Sequence, residues 1–356
     1  MEKVAVIIGR FSLFHIGHKN LIQHALDNYD SVLVLIGSAY QSRSIKNPFT
    51  GSERRLVLKR AFPHECFDNR LEFALIRDFP YSDTQWGAEV TQKVYEIFDP
   101  NTHEITVVGS DRDSSTYYLK SFPQWGLDLV DPFGENLSAT VFRTHLFENI
   151  ACVGDIEQDA VLNTLPEVTV KFLQWYVGTE HFSNQSEEYA FIQDYKQKIS
   201  GFPYPVTINT ADAVVIQSNH VLVVERLNNP GKGLLAIPGG HVESGETLLD
   251  CAIREGHEET GLQIVSGKKS EQITKDILRM SVRASKCFDH PERSLKARVI
   301  TQAFLFSLDD TKALPAVKPQ KSEVKRVFWM PIGEALAHTE WFEDHWHILN
   351  WAVNQR

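Results

Sequence analysis

The sequence predicts an α/β protein with two domains, and three observations support this prediction. The chain has 356 residues, a length typical of two domains. Short apolar runs alternate with helical patterns in the first half, which predicts a doubly wound parallel sheet. The second half opens with a hairpin pattern and contains one strongly patterned helix. We place the first domain at residues 1–178, a polar and proline-containing linker at 179–205, and the second domain at 206–356.

Composition and charge limit the classes of function. Hydrophobic residues make up 42% of the chain and charged residues 23%, as in globular proteins, and no apolar run is long enough to cross a membrane. The formal net charge of −10 argues against nucleic acid as a partner. The four cysteines show no CxxC spacing, which favours reduced thiols. We therefore expect a cytoplasmic protein that binds neither nucleic acid nor membranes; whether it forms a homo-oligomer is left open.

The first domain is predicted to place its ligand at one edge of its sheet. Thr50 and Glu53 have the spacing of a capping box, which favours a helix start at this point. In a doubly wound sheet the ligand binds beyond the carboxyl ends of the strands. The predicted strands are Val4–Ile8, Val32–Ile36, Leu71–Ile76 and Ile105–Val108, and the predicted helices are Gly17–Tyr29, Ser52–Ala61, Gln85–Phe98 and Ser115–Phe122.

The stretch GRFSLFHIGH lies where the first strand passes into the first helix. Gly9 and Gly17 would let the backbone approach a phosphate closely, and the helix start offers free N–H groups. His15 and His18 can donate ring hydrogens to phosphate oxygens. The stretch therefore predicts a polyphosphate site. An HxxH pattern alone is common, so a surface histidine beside a helix cap stays an alternative at this point.

Three further stretches carry phosphate- or hydroxyl-binding groups. SATVFR contains two hydroxyls and Arg143 at a predicted helix start, where an arginine can clamp phosphate bidentately. GSAYQSRSIKNPFTGSERR follows the second strand, and VGSDRDSS follows the fourth. Because the carboxyl ends of parallel strands meet at one edge, these loops are expected to converge with GRFSLFHIGH.

These motifs together resemble the nucleotidyltransferase superfamily, whose members transfer an adenylyl or cytidylyl group. GRF…HIGH with a later SxTxxR carries the resemblance, over about residues 4–143. The stretch SIKNPFTGSER and the downstream Trp86 are similar to the short, archaeal-type nicotinamide mononucleotide (NMN) adenylyltransferases. Leu13 departs from the proline usual in the family, which should alter loop stiffness rather than chemistry. The resemblance implies a Rossmann-like fold and the reaction of NMN with ATP to give NAD and pyrophosphate.

The resemblance also implies roles for individual residues. His15 and His18 would contact the ATP phosphates and the transition state, and Arg143 the β- and γ-phosphates. Because the NMN phosphate is already ionised, no general base is required, and catalysis is positioning with charge neutralisation. Mg²⁺ would arrive on ATP. The remaining substrate contacts are assigned to Gly9, Arg10, Phe11, Lys46, Asn47, Asp111, Ser138 and Thr140, and to Trp86, which would stack on the nicotinamide ring.

The same motifs leave alternatives to this reaction. HIGH also occurs in class I aminoacyl-tRNA synthetases, but the chain has no KMSKS-like lysine loop and no basic RNA-binding region. Trp86 could equally be a core tryptophan. Adenylyl transfer to another phosphorylated acceptor, such as phosphopantetheine or FMN, stays open on physical grounds, and only the NPFTGSER resemblance favours NMN.

The second half begins with a hairpin over residues 211–226, its turn near Ser218–Asn219, followed by the stretch Gly239–Leu262. This stretch predicts a helix from about Thr247 to Gly261. Three glutamates share one side of the helix, where like charges favour a bound cation such as Mg²⁺ or Mn²⁺. A solvated acidic face is the plain alternative. The three glutamates are Glu255, Glu258 and Glu259.

The full spacing of Gly240, Glu246 and REGHEETGL resembles the Nudix box of nucleoside-diphosphate-X hydrolases. The resemblance implies an α/β/α domain with a mixed sheet, and a Mg²⁺ site made by the three glutamates and the Gly239 carbonyl. Glu258 would double as ligand and base, with Glu323 as the alternative base. Gly256 replaces an apolar family residue, which predicts close packing on a neighbouring strand.

The stretch CFDHPERSLKARVITQAFLF is similar to Nudix proteins that act on ADP-ribose. By this resemblance Arg293 and Arg298 would reach phosphates and Phe288 an adenine, and the products would be AMP and ribose 5-phosphate. Hydrolysis of another nucleoside diphosphate and a non-catalytic ADP-ribose sensor stay as alternatives, although sensors typically have a degraded box. The tryptophan-rich C-terminal stretch predicts an amphipathic helix docked on the core. The expected ligands of the chain are ATP, NMN, NAD and ADP-ribose.

Overall fold

The protein is described from a computed structural model. The described residues are 1–110, 118–131, 139–148, 165–267, 269–319 and 322–356. They form two compact units, Met1–Glu187 and Glu188–Arg356. The boundary falls inside helix α7, Glu180–Ile199, so most of the predicted linker is helical rather than loop. None of the helices in the described part combines the length and the apolar character that a membrane crossing needs.

The first unit contains a parallel five-stranded sheet among its described residues. Its strands are β1 Glu2–Gly9, β2 Ser31–Ile36, β3 Leu71–Leu75, β4 His103–Gly109 and β5 Gly126–Leu129. They lie in the order β3-β2-β1-β4-β5, so β1 is central. The four predicted strands and the doubly wound fold class are confirmed. The edge strand β5 was not predicted, because GLDL is only four residues long and has no run of apolar residues.

The first unit also contains six helices among its described residues before α7. They are α1 Ile16–Asn28, α2 Gly51–Ala61, α3 Pro63–Phe67, α4 Asp83–Tyr95, α5 Ala139–Glu148 and α6 Glu167–Val177. Thr50 and Glu53 form the predicted capping box at the start of α2. The predicted helix Ser115–Phe122 begins outside the described residues, and its described part contains only a 3₁₀ turn at 118–120.

The strands of the first unit are anchored by a buried hydrophobic core. Val4, Val6, Leu33 and Leu35 are fully buried, as expected for parallel strands that are covered on both faces. Val90 of α4 packs into the same cluster. The loops that follow β1, β2 and β3 therefore start from a rigid sheet.

The second unit is built on a mixed sheet. Its strands are β6 Thr207–Gln217, β7 His220–Arg226, β8 Leu235–Ala236, β9 Gly239–His241, β10 Val282–Phe288, β11 Arg298–Ser307 and β12 Val324–Pro331. The main path is β10-β11-β6-β7-β12, with β8 on β7 and β9 on β6, and β11 runs parallel to β6. The predicted mixed sheet is confirmed. Ser218 and Asn219 have φ of 47° and 59°, the left-handed pair typical of a two-residue hairpin turn.

The helices of the second unit are α8 Leu248–Thr260, α9 Ser270–Met280, α10 Ile332–Ala337 and α11 His345–Val353. Helix α8 begins after the Thr247 cap and ends at Gly261 in the left-handed conformation, as predicted. A Cβ atom added at Gly256 would lie 3.0 Å from the Cβ of Ala213 in β6. This contact confirms that the glycine lets α8 lie close to the sheet.

The C-terminal tryptophans dock on the unit, as predicted. The indole of Trp341 is buried and donates to the Ala335 carbonyl, and Trp346 donates to the Leu336 carbonyl. These bonds fix the segment that leads into α11, and this segment borders the cavity described below.

Candidate active sites

The turn after β1 brings the GRF motif against the sheet edge. Phe11 has a φ of 47° and is 3% exposed. Its ring folds back over Gly9, where an added Cβ atom would lie 3.0 Å from the ring. A side chain at position 9 would therefore displace Phe11, which explains the glycine by close packing. Arg10, between them, is exposed to solvent.

The two histidines of the HIGH motif lie side by side at the start of α1. His15 is the N-cap residue and is 2% exposed. Its ring stacks on that of His18 with the centroids 3.8 Å apart, and Phe11 packs 4.8 Å from His18. The structure thus brings the two imidazoles together at a helix N-terminus, a position that suits an anion.

Arg143 of α5 contacts the same turn, although it is 131 residues from Ser12 in the sequence. Its Nη1 donates to the Ser12 hydroxyl at 3.3 Å, and the Phe142 ring lies 6.3 Å from that of His15. Burial, together with the positive charge of Arg10, lowers the pKa of Arg143 to about 10. Two guanidinium groups and two imidazoles therefore share one site, and a polyphosphate would offset their repulsion. Asp111 and Ser138 lie outside the described residues, as does the side chain of Thr140.

Arg54 is a buried residue of this site that the sequence did not reveal. It is 3% exposed and lies in the first turns of α2. Its guanidinium donates to the Gly37 carbonyl at 2.8 Å, to the Ser38 carbonyl at 3.0 Å, and to the Arg10 carbonyl. One side chain therefore ties the loop after β1 to the loop after β2. Arg54 is the last residue of the SIKNPFTGSER motif, which pointed to this loop. Nothing in the motif indicates that Arg54 contacts Arg10.

Asn47 belongs to a hydrogen-bonded relay between loops. Its Nδ2 donates to Gln41 Oε1 at 2.6 Å, and Gln41 Nε2 donates to Asp78 Oδ2 at 3.3 Å. Asp78 follows β3 and also accepts from the Ser38 amide at 2.9 Å. Lys46 beside Asn47 is half-buried. These residues lie in the loops that follow β2 and β3, where the substrate was predicted.

Trp86 has one face in the core. Its ring lies 5.7 Å from the rings of Tyr118 and Phe122, and it packs against the buried cluster under the sheet. The side chain remains partly exposed. The structure therefore gives Trp86 a packing role, and stacking on nicotinamide stays a prediction.

In the second unit, carboxylates from α8 and from the loop before β12 converge. Oxygens of Glu255, Glu259 and Glu323 lie within 4.8 Å of one another. Burial raises the pKa of Glu259 to about 8, and the charges of Glu255 and Glu323 contribute to the rise. Carboxylates that destabilise one another in this way fit a hard divalent cation. We name Glu255, Glu259 and Glu323 the carboxylate trio.

Glycines in β9 make room for the trio. A Cβ atom at Gly240 would lie 2.3 Å from Glu255 Oε1, and the Gly239 amide donates to Glu259 Oε2 at 3.0 Å. A side chain at position 240 would therefore fill the space of a carboxylate. The Gly239 carbonyl as a ligand stays a prediction.

Arg254 organises the surrounding acids. It binds both carboxylate oxygens of Glu246, at 2.7 and 3.0 Å, and Glu255 Oε1 at 2.8 Å. The Arg254 hydrogen bonds, against a small effect of burial, lower the pKa of Glu246 to about 2. Arg254 also reaches Glu258 Oε2 at 3.3 Å, the predicted i, i+4 contact.

Glu258 stands apart from the trio. Its side chain is 43% exposed and contacts Arg254. Among the described residues the grouped carboxylates are those of Glu255, Glu259 and Glu323, so the structure places Glu323 where the sequence predicted Glu258. Glu258 follows Glu255 by three residues, but its carboxylate lies on the solvent side. Its role as ligand or base stays a prediction.

A cavity of about 360 Å³ adjoins the trio. Its charged lining includes Arg226, Arg293, Lys296 and Glu343. Arg293 is already engaged, since it forms a two-point ion pair with Asp344 at 2.7 and 3.0 Å. Arg226 and Lys296 are cations that the sequence did not single out.

Two residues predicted on the substrate side of this unit do not line the cavity in the described part of the chain, so their substrate contacts stay predictions. Phe288 is 1% exposed and packs edge-on against Trp351, so its ring has a packing role in the core. Arg298 donates to the Asp289 carbonyl at 2.6 Å, and it is not among the described residues that line the cavity. Hydrophobic spacing alone could not show that Phe288 points inward.

Comparisons with known proteins agree with both units. The cytidylyltransferase-like family model matches residues 6–120, and the NUDIX domain model matches residues 207–352. A nicotinamide/nicotinic acid mononucleotide adenylyltransferase of Acinetobacter baylyi is 35% identical over 184 residues, 52% of this chain and 92% of that protein. An ADP-ribose pyrophosphatase of Methanocaldococcus jannaschii is 49% identical over 51 residues, 14% of this chain and 30% of that protein.

Solved structures match the whole chain. A bifunctional NMN adenylyltransferase/ADP ribose pyrophosphatase from Francisella tularensis is 31% identical with a TM-score of 0.86, covering 100% of this chain and 99% of that one. The same protein complexed with AMP and a manganese ion is 30% identical with a TM-score of 0.84, over 99% of each chain. The similarity therefore includes the combination of the two units in one chain.

Proposed function

Because the chain belongs to the family of bifunctional NMN adenylyltransferase/ADP-ribose pyrophosphatases, we propose that it carries both activities. The first unit would join NMN and ATP to give NAD and pyrophosphate. The second unit would hydrolyse ADP-ribose to AMP and ribose 5-phosphate. The match over 92% of an adenylyltransferase for the nicotinamide or nicotinic acid nucleotide supports NMN over phosphopantetheine or FMN as acceptor.

The stacked histidines with Arg143 are the observation that carries the first activity. An oxygen of the NMN phosphate would form a bond to the α-phosphorus of ATP while the α–β anhydride bond breaks. His15 and His18 would stabilise the charge at the α-phosphate, and Arg143 the charge on the leaving pyrophosphate. Arg54 would act indirectly, because it fixes the backbone from which Arg10 projects.

The carboxylate trio is the observation that carries the second activity. Glu255, Glu259 and Glu323 would hold a divalent cation, Mg²⁺ or Mn²⁺. When bound, the cation would activate water and neutralise the diphosphate. Arg254 would keep Glu255 oriented through the 2.8 Å bond and would balance its charge. A converging, metal-competent trio supports a hydrolase over an ADP-ribose sensor.

Product identification tests both activities. The protein is incubated with NMN, ATP and Mg²⁺, and separately with ADP-ribose and Mg²⁺ or Mn²⁺, and the products are identified by mass. We expect NAD with pyrophosphate in the first mixture, and AMP with ribose 5-phosphate in the second. Parallel mixtures with phosphopantetheine or FMN as acceptors, and with other nucleoside diphosphates, rank the alternatives. Binding of ADP-ribose without turnover would favour the sensor.

A further inference from the structure

The segment that leads into α11 pairs with β8 through a short ladder of hydrogen bonds. The Leu235 amide donates to the Glu340 carbonyl at 2.9 Å, and the Phe342 amide donates to the Leu235 carbonyl at 2.8 Å. In a regular parallel ladder, the Ile237 amide would next donate to the Phe342 carbonyl. It donates instead to Nδ1 of His345, at 3.0 Å. A side chain therefore replaces a backbone acceptor at the end of this ladder.

The backbone turns out of the ladder at Glu343. This residue has a φ of 45°, in the left-handed region that a non-glycine residue rarely adopts. Asp344 follows, and its carboxylate accepts from Arg293 at 2.7 and 3.0 Å. His345, the next residue, is 6% exposed and begins α11. The turn and the ion pair thus direct the His345 imidazole back toward Ile237.

The bond to Ile237 fixes the protonation state of His345. A backbone amide can only donate, so Nδ1 must be the unprotonated nitrogen and Nε2 must carry the ring proton. Burial, together with the charges of Arg293 and Arg226, lowers the pKa of His345 to about 3, against the raising effect of Asp344. The imidazole is therefore neutral near neutral pH and keeps its acceptor nitrogen.

The connection that His345 holds leads directly to the carboxylate trio. It joins β8 to β9 and consists of Ile237 and Pro238. Because proline has no N–H group, the Ile237 amide is the single backbone donor of this connection. The Pro238 carbonyl accepts from the Ala213 amide of β6 at 2.8 Å. The next residue is Gly239, whose amide donates to Glu259 Oε2 at 3.0 Å. A displacement of Ile237 would therefore reach the trio within two residues.

We propose that His345 is a positioning residue for the carboxylate trio. It fixes the backbone that presents the Gly239 amide to Glu259, and thereby the geometry in which the trio binds a divalent cation. In this role His345 contacts neither the cation nor the substrate. The relation to ADP-ribose hydrolysis rests on the proposed function, whereas the effect of His345 on cation binding does not.

Binding of Mn²⁺ without nucleotide provides the first test, with free Mn²⁺ followed by electron paramagnetic resonance. In His345→Leu the buried Ile237 amide loses its acceptor. We expect Mn²⁺ binding to weaken about tenfold, which corresponds to about 1.4 kcal/mol, the size of one hydrogen bond. His345→Asn offers an amide oxygen near the position of Nδ1 and should restore most of the affinity. Loss of binding in Glu259→Gln identifies the cation that the trio holds.

His338→Leu is the matched control for the loss of a histidine. Nδ1 of His338 accepts from the Glu340 amide at 3.1 Å at an exposed position, so the substitution removes the same kind of bond outside the β8–β9 connection. We expect unchanged Mn²⁺ affinity in this variant. NAD formation should be unchanged in every variant, because it is assigned to the other unit.

Nuclear magnetic resonance tests the bond in the wild type. Long-range proton–nitrogen spectra of protein with isotopically labelled histidine should show an unprotonated Nδ1 and a protonated Nε2 in His345 near neutral pH, and the signals that disappear in His345→Asn assign them. A protonated Nδ1, or wild-type Mn²⁺ affinity in a folded His345→Leu, would overturn the positioning role. Mn²⁺ binding that depends on His345 in a protein that does not hydrolyse ADP-ribose would support this role and refute the proposed substrate alone.

Discussion

Replacing Arg54 tests whether one buried guanidinium positions the adenylyl-transfer site. Arg54→Met keeps the side-chain volume approximately and removes every donor, whereas Arg54→Lys keeps the charge and loses the planar fork. The carbonyls of Arg10, Gly37 and Ser38 would then lose their donor.

The magnitude follows from those contacts. Two of them have ordinary lengths, 2.8 and 3.0 Å, and a hydrogen bond to a charged group contributes about 1.5–3 kcal/mol. Burial opposes them, since it lowers the pKa of Arg54 to about 10. We expect Arg54→Met to lower the free energy of unfolding of the first unit by about 3 kcal/mol. A shift of the Arg10 backbone by about 1 Å would reduce adenylyl transfer about 100-fold.

The assay uses both activities of one chain. NAD formation and ADP-ribose hydrolysis are measured on the same preparation, together with calorimetric unfolding. We expect Arg54→Lys to reduce kcat for NAD formation while ADP-ribose hydrolysis stays unchanged. Arg60→Met, an exposed arginine on the same helix, should change the free energy of unfolding by about 0.5 kcal/mol or less. Equal losses of both activities, or no loss of NAD formation in Arg54→Met, would refute the positioning role.

Three further predictions concern the cation, packing and pH. Mn²⁺ should raise the melting temperature of the wild type by binding the trio, and Glu259→Gln should abolish that shift in a thermal scan; an equal shift in the variant would place the cation elsewhere. Gly256→Ala should destabilise the second unit by about 1 kcal/mol in denaturant unfolding, because crowding against Ala213 exceeds the gain in helix propensity; a stabilised variant would contradict the close contact. Burial raises the pKa of Glu53, but the hydrogen bonds from Arg43 and the Thr50 amide outweigh this effect and hold the pKa below its usual value. Its stabilisation is therefore complete above about pH 4.5 and lost as the pH falls further, so the melting-temperature difference between wild type and Glu53→Gln should shrink in acid, and a constant difference would exclude the ion pair.

Local patterns predicted the elements that local forces determine. The capping box at Thr50, the hairpin turn at Ser218–Asn219 and the end of α8 at Gly261 each depend on a few neighbouring residues, and all three are confirmed. The close packing at Gly256 was also predicted, because a mid-helix glycine is unfavourable unless space requires it.

Contacts between distant segments were not predictable in the same way. Arg54 and Arg10 are 44 residues apart, and Arg293 and Asp344 are 51 apart. No period or spacing in the sequence encodes these pairs, because each forms only when the strands bring two loops together. The polar residues 179–205 predict a linker, and helix α7 occupies Glu180–Ile199 of this range. Glu323 is likewise distant in sequence from Glu255 and Glu259, and only the fold brings its loop to the trio.

The central claim is that one chain holds two independent sites, one that neutralises phosphate with imidazole and guanidinium groups and one that uses carboxylates to hold a cation. The most direct measurement is the rate of both reactions in His18→Ala and in Glu259→Gln, each on a single preparation. We expect His18→Ala to lose NAD formation by about 100-fold or more and to retain ADP-ribose hydrolysis, and Glu259→Gln to show the reverse. A single substitution that lowers both rates to the same extent would contradict the claim.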